Sequence, residues 1–208
     1  LYMVLLAAYT ALLSRLSGQE DIIVGSPIAG RPHKDLEPIL GMFVNTLALR
    51  TRPEGGKPFA QYLQEMRETA LEAYEHQDYP FEELVDQLGV TRDMSRNPVF
   101  DAMFILQNME KHDMDLAEIN VRPAHFIHQI SVFDITLIAV ESNGVIRCEM
   151  EFSTDIFMKT TIERWAAHFT EFLHSSIINP NTRLSELNIL DENEKQKLVM
   201  EFNNTQVE

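Results

Sequence analysis

Cysteine is nearly missing from this sequence. Cys148 stands alone among 208 residues, so no internal disulfide can form, and the usage fits a reducing compartment, the cytoplasm. Positive charge is also scarce: 17 Lys and Arg face 32 Asp and Glu, a formal net charge of −15. A surface of that sign is repelled by phosphate backbones and anionic headgroups, which argues against nucleic acid and membrane as partners. Long apolar runs are absent. The opening LYMVLLAAYTALLSRL is short for a membrane span and is interrupted by Tyr2, Tyr9, Thr10, Ser14 and Arg15. It has neither a basic start nor a small-residue cleavage site, so it reads as a core helix. The chain also lacks G-x-G-x-x-G, the phosphate loop G-x-x-x-x-G-K-[ST], and the nucleophile elbow G-x-S-x-G.

What is present is a core. Apolar residues make up 45% of the chain, enough for one domain of ordinary size or one lobe of a larger one. The sequence opens on Leu1 and not on methionine, and reads as a piece of a longer polypeptide.

Periodicity predicts the elements. Residues 1–16 are apolar on nearly all sides, as a helix buried over most of its surface would be. DIIVG (21–25) is a short buried strand, and 26–42, with three prolines and two glycines, an ordered loop. FVNTLALR (43–50) reads as a strand and RPEGGKP (52–58) as a turn. Helical spacing of Phe59, Tyr62, Leu63, Met66, Ala70 and Ala73 marks a helix to about His76, and a shorter one runs from about Pro80 to Leu88. A buried strand is expected at 97–108 and a polar loop at 109–124. Strands at 132–140 and 145–152 flank ESNG as a hairpin. In the second arm, apolar Ile146, Cys148, Met150 and Phe152 alternate with charged residues, predicting one wet face. A last helix spans about 160–178, and the charged, amide-rich tail from Asp191 reads as a linker. Intermixed helices and strands indicate a two-layer α/β sandwich, a mixed and largely antiparallel sheet packed by helices.

Seven histidines invite a search for a base or a metal. His125 and His128 are three apart, but no third ligand stands at a suitable spacing, so no metal site is expected. His33, His112, His168 and His174 accompany no recognisable nucleophile. The densest polar stretch is HQDYPFEEL (76–84). Its residues all have structural explanations: His76 closes one helix, and Pro80 sits in the first turn of the next, where its missing N–H is harmless. Asp78 is positioned to cap that turn, with Glu82 and Glu83 complementing the dipole. On this reading His76 is not a catalytic base.

LGMFVNTLALR (40–50), HQDYPFE (76–82) and RDMSRNPV (92–99) resemble, in order and spacing, the last three conserved motifs of condensation domains of non-ribosomal peptide synthetases. DIIVGSPIAGR (21–31) is similar to the segment before them, and LNILDENEKQKLVMEFNNT (187–205) to the junction leading into an adenylation domain. The family's catalytic signature, His-His-x-x-x-Asp-Gly, is missing: the chain has no His-His pair. The resemblance therefore implies the C-terminal lobe of a two-lobed, chloramphenicol-acetyltransferase-like domain over 1–190, followed by a linker over 191–208.

The resemblance also implies a reaction in which a carrier-bound amine attacks a carrier-bound acyl or peptidyl thioester. This lobe would supply no catalytic residue and bind no cofactor. It would form one wall of the tunnel used by the phosphopantetheine arms of upstream and downstream carrier proteins, with Ser26, Asn45 and Thr46 facing that tunnel. Asn45 and Thr46 are equally well explained as strand residues bonded within the lobe. His76, Asp78, Pro80, Arg92, Asp93, Arg96 and Asn97 belong to structural motifs, the charged ones bracing a loop by ion pairs. The implied partners are the N-terminal lobe, the two carriers and the adenylation domain. An excised lobe would carry an uncovered apolar patch near 26–50 and self-associate weakly. The alternatives are an epimerisation domain of the same fold, or a stand-alone acidic scaffold or binding module.

Overall fold

The opening apolar run forms helix α1 (Tyr2–Ser17), whose residues Leu5 to Leu12 are all buried. Such a helix must be covered on several sides, and α1 packs against strand β1 (Ile22–Ile28) and between helices α2 (Phe59–Glu75) and α4 (Lys159–Ile178). Gly18 ends it in the left-handed conformation, its N–H bonding Ser14 O. The remaining elements are β2 (Asn45–Thr51), α3 (Phe81–Leu88), β3 (Ala102–Gln107), β4 (Ile135–Ser142), β5 (Val145–Phe152) and α5 (Glu192–Gln196), with one 3₁₀ turn at Lys34–Leu36 and a π turn at Lys197–Glu201. The structure, a computed structural model, describes residues 1–31, 33–90, 96–107 and 130–201.

The five strands lie in the order β2-β1-β3-β4-β5. β1 with β2 and β4 with β5 are antiparallel, while β1 with β3 and β3 with β4 are parallel. The sheet is mixed, as expected, but its antiparallel pairings are confined to the two margins. Helices cross over between β2 and β3, which lets β3 return parallel to β1. α2 covers β2, α1 covers β1, and α4 reaches β5, giving one helical layer on the sheet.

Four boundaries differ from expectation. β1 continues past Gly25 through Ser26-Pro27-Ile28. Pro27 is tolerated there because the β3 ladder against β1 covers only Val24 and Gly25, so the missing N–H breaks no bond on that side. β2 begins at Asn45, two residues late, β3 only at Ala102, after Pro98, and β4 at Ile135, three residues late. β5 has no single wet face: Val145 to Glu149 are all exposed, and only Met150 to Phe152 are half-buried. It is the margin strand, and Met150 alone of that face packs against the core. The β4–β5 hairpin is as expected, with Asn143 (φ 55°) and Gly144 (φ 73°) both left-handed, the signature of a type I′ turn.

Polar bonds tie the layers. The Tyr62 hydroxyl meets Thr10 Oγ1 at 2.6 Å and donates to Thr51 Oγ1 at 3.0 Å, joining α2, α1 and β2. Burial pushes the Tyr62 phenol up to about 12. At the other end, residues from Asp191 fold as α5 and dock on α4. Asp191 Oδ1 accepts the Glu194 N–H at 2.7 Å, and Glu194 Oε2 meets the buried His168 Nε2 at 2.7 Å. Among the described residues no helix is long and apolar enough to cross a membrane.

Candidate functional site

Residues of the 40–50 and 76–82 motifs meet where β2 begins, beside the turn that joins α2 to α3. Asn45, the first residue of β2, directs its carboxamide at that turn. Nδ2 donates to Gln77 O and to Tyr79 O, each at 2.8 Å, and Oδ1 accepts the Phe81 N–H at 3.2 Å. The start of α3 is thus capped from the strand. Asp78, expected to supply that cap, is exposed and does not bond there, and the N-cap residue Pro80 has no side chain able to do so. This corrects the local reading: the proline start, which has no side-chain acceptor, is completed by a residue 36 positions from Phe81.

His76 is the C-cap of α2. Its N–H bonds Ala73 O, and its carbonyl accepts the Tyr79 N–H at 3.1 Å. Its side chain is exposed and borders a cavity of about 360 Å³ lined by Thr46, Leu47, Ala48, Ala73, His76, Tyr79, Phe81 and Leu84. The cavity wall is mostly apolar, with the Thr46 hydroxyl, the Tyr79 phenol and the His76 imidazole among the lining groups. A second opening, of about 270 Å³, lies across Asn45 and includes Gly30, Phe43, Gln77, Asp78 and Glu82.

Ser26 is placed differently from its expected role. It is buried, its hydroxyl accepting from Tyr2 OH at 2.8 Å and donating to Phe104 O at 3.0 Å, so it knits α1, β1 and β3 and faces no open space in this chain. Burial raises the Tyr2 phenol, with the Ser26 bond opposing. Thr46 is half-buried on the cavity wall, and Asn45 is spent on the turn. Asn97 Nδ2 donates to Val132 O at 3.3 Å, and Arg96 is exposed. Arg92 and Asp93 lie outside the described residues, as do His112, His125 and His128.

Behind this region two identical tripeptides run side by side. Val99-Phe100-Asp101 leads into β3 and Val132-Phe133-Asp134 into β4, the two strands being parallel and in register. The Phe100 and Phe133 rings stack with centroids 5.6 Å apart, and Phe81 of α3 packs on Phe100 at 5.4 Å. The neighbouring carboxylates repel. Desolvation first, then the Asp101 charge, raises the Asp134 carboxyl above its ordinary value, and the Arg96 charge opposes.

The expected apolar patch near 26–50 is held by a contact that the sequence did not disclose. Arg31 donates to Leu36 O and, at 3.3 Å, to Gly41 O, while its guanidinium lies 4.2 Å over the Phe43 ring. The loop so gathered holds Leu40 and Met42 almost wholly in solvent, 99% and 91% exposed, with Ile39 and Val44 beside them. Four apolar side chains on this short stretch are thus exposed. Among the described residues no group of three or more His, Cys, Asp or Glu could hold a metal.

The family model for the condensation domain matches residues 1–199. One of the plipastatin synthase proteins of Bacillus subtilis (strain 168) is 79% identical over 208 residues, all of this chain and 8% of that protein. Gramicidin S synthase 2 of Brevibacillus brevis is 47% identical over 210 residues, again 100% of this chain and 5% of that protein. Among solved structures, a four-domain nonribosomal peptide synthetase superposes with a TM-score of 0.82 at 24% identity, covering 93% of this chain and 16% of that one. The first condensation domain of the CDA synthetase superposes with a TM-score of 0.70 at 20% identity, covering 91% of this chain and 42% of that one. The chain therefore spans less than a tenth of these curated relatives, and under half of a solved condensation domain.

Proposed function

Because this chain belongs to the condensation-domain family, we propose that it forms the C-terminal lobe of such a domain in a nonribosomal peptide synthetase. The assembled domain joins two carrier-bound reactants. The amine nitrogen of a downstream aminoacyl group attacks the carbonyl of an upstream acyl or peptidyl thioester. A C–N bond forms, the C–S bond breaks, the amine loses a proton and the upstream phosphopantetheine thiol departs.

The observation that carries this reading is the family match over 1–199 by a chain covering 42% of a solved condensation domain. The uncovered apolar rim at Ile39, Leu40, Met42 and Val44, beside the two cavities, supports a second lobe there. The sequence has no His-His pair, so the proton is managed from that other lobe. This lobe contributes alignment of the tethered reactants. Thr46 is the tunnel-facing hydroxyl on the cavity wall. His76 stays structural, the carriers and an adenylation domain are the partners, and the cytoplasm is the compartment that suits the lone Cys148. The family match displaces the alternative of a stand-alone acidic scaffold.

The test uses loaded donor and acceptor carriers with product read by mass spectrometry. The two-lobed domain containing this chain should form the amide on the acceptor carrier, and this chain alone should give none above the uncatalysed background. Product from the single lobe, or none from the complete domain with its own carriers, would overturn the reading.

A further inference from the structure

Asn45 stands where β2 meets the α2–α3 turn; it lines the 270 Å³ opening, and its neighbour Thr46 lines the 360 Å³ cavity. Its carboxamide has two N–H donors, and both are taken, by Gln77 O and Tyr79 O at 2.8 Å. Its oxygen accepts from Phe81 N at 3.2 Å. A neutral amide so engaged has no hydrogen left to offer a substrate. The pattern also selects the residue type. Aspartate of the same shape has acceptors only and would face two carbonyl oxygens, while serine brings a single donor.

We propose that Asn45 is a positioning residue for condensation, acting through the 77–81 turn and not by touching the reactants. The inference rests on the amide-forming reading above. The clamp fixes three backbone groups within five residues, and that short stretch carries Tyr79 and Phe81, two walls of the 360 Å³ cavity. Its release leaves the sheet alone, because the backbone of Asn45 pairs with Ile28 independently of the side chain. The turn would then move against a fixed strand and both cavities would change shape. A displacement on the order of 1 Å, even far from the reacting atoms, can cost about 100-fold in rate.

The experiment compares Asn45→Ala and the isosteric Asn45→Asp with wild type in the complete domain. Three readouts are taken: single-turnover amide formation, KM for the loaded carrier, and hydrogen exchange at the Tyr79 and Phe81 amides. Exchange at the Phe81 amide should rise in Asn45→Ala, which loses its acceptor, and exchange at the Tyr79 amide, whose N–H bonds His76 O within the turn, should rise in both variants. The single-turnover rate should fall roughly 10- to 100-fold, and KM should change less than about threefold. A rate loss with exchange unchanged would mean that the amide touches the reactants. Faster exchange with an unchanged rate would mean that the turn's placement is irrelevant to the reaction. Global unfolding of both variants would leave Asn45 a purely structural residue. Each of these three results overturns the proposal. Absence of product from the wild-type domain would be seen before any variant is compared, and would remove the amide-forming reading itself.

Discussion

Gly30 and Gly89 share one backbone conformation, with φ of 60° and 59°, in opposite surroundings. An added β-carbon at Gly89 would meet no heavy atom of the described residues within 4 Å, whereas at Gly30 it would lie 1.8 Å from Phe43 O. The pair therefore separates conformational strain from steric exclusion. An alanine held left-handed costs about 1–2 kcal/mol, and the lost flexibility of the unfolded chain returns about 0.4–1 kcal/mol. Gly89→Ala should thus destabilise by roughly 1 kcal/mol or less. Gly30→Ala carries the same strain and must also push a backbone carbonyl back by roughly 1 Å, which at overpacking costs adds about 1–3 kcal/mol. The carbonyl belongs to Phe43, whose ring seats Arg31, so the loop that presents Leu40 and Met42 has to shift with it. Urea unfolding of the two variants at unchanged m should put the Gly30→Ala midpoint well below that of Gly89→Ala. In a chain of this size the difference is several degrees in Tm. Equal midpoints would show that the close approach of Gly30 to Phe43 does not constrain the fold.

Other expectations follow from the same contacts. Asp78→Ala should change stability by less than about 0.5 kcal/mol in urea titration, because Asn45 and not Asp78 caps α3; a loss near 1 kcal/mol would restore the local cap. Asp134 is raised in the folded state, so the folded chain binds a proton more readily than the unfolded one. Its contribution is present below the ordinary carboxylate value and is lost as pH rises through the raised one. Asp134→Asn should therefore be more stable than wild type near neutrality, with the gap closing towards about pH 4, and a gap that widens on acidification would contradict the sign. The lobe alone should self-associate weakly through Leu40 and Met42 at high concentration, less so at low ionic strength, where its −15 charge is least screened. Sedimentation should show Leu40→Asp abolishing this, and a strictly monomeric wild-type lobe at moderate salt would argue against an uncovered junction.

The helices and the hairpin are legible in the sequence because their signals are local: apolar spacing for α1, α2 and α4, and Asn143-Gly144 for the turn. The tail is legible in part. Asp191 and Glu194 stand at capping distance, so the α5 start is written in residues whose composition alone suggests a linker. What stays hidden depends on neighbours far along the chain. No local pattern tells that Asn45 will reach across 36 positions to the Phe81 N–H, or that Ser26 will be enclosed by Tyr2 and Phe104. The exposure of β5 escapes the pattern for a similar reason: alternation describes a strand with a covered face, and the helical layer barely reaches this margin.

The Arg31 loop has a consequence for association rates. Ordering a residue's backbone costs about 1–2 kcal/mol, and a flexible loop meets that cost each time it binds. Here one guanidinium bridging Leu36 O and Gly41 O, seated on Phe43, has already ordered the loop on folding. Any surface that covers Leu40 and Met42 then meets a preformed shape. Encounters that arrive in the right orientation can stick without waiting for the loop to fold around them. Arg31→Ala would keep every apolar side chain and still slow capture, separating the hydrophobic content of the contact from the entropy that readies it.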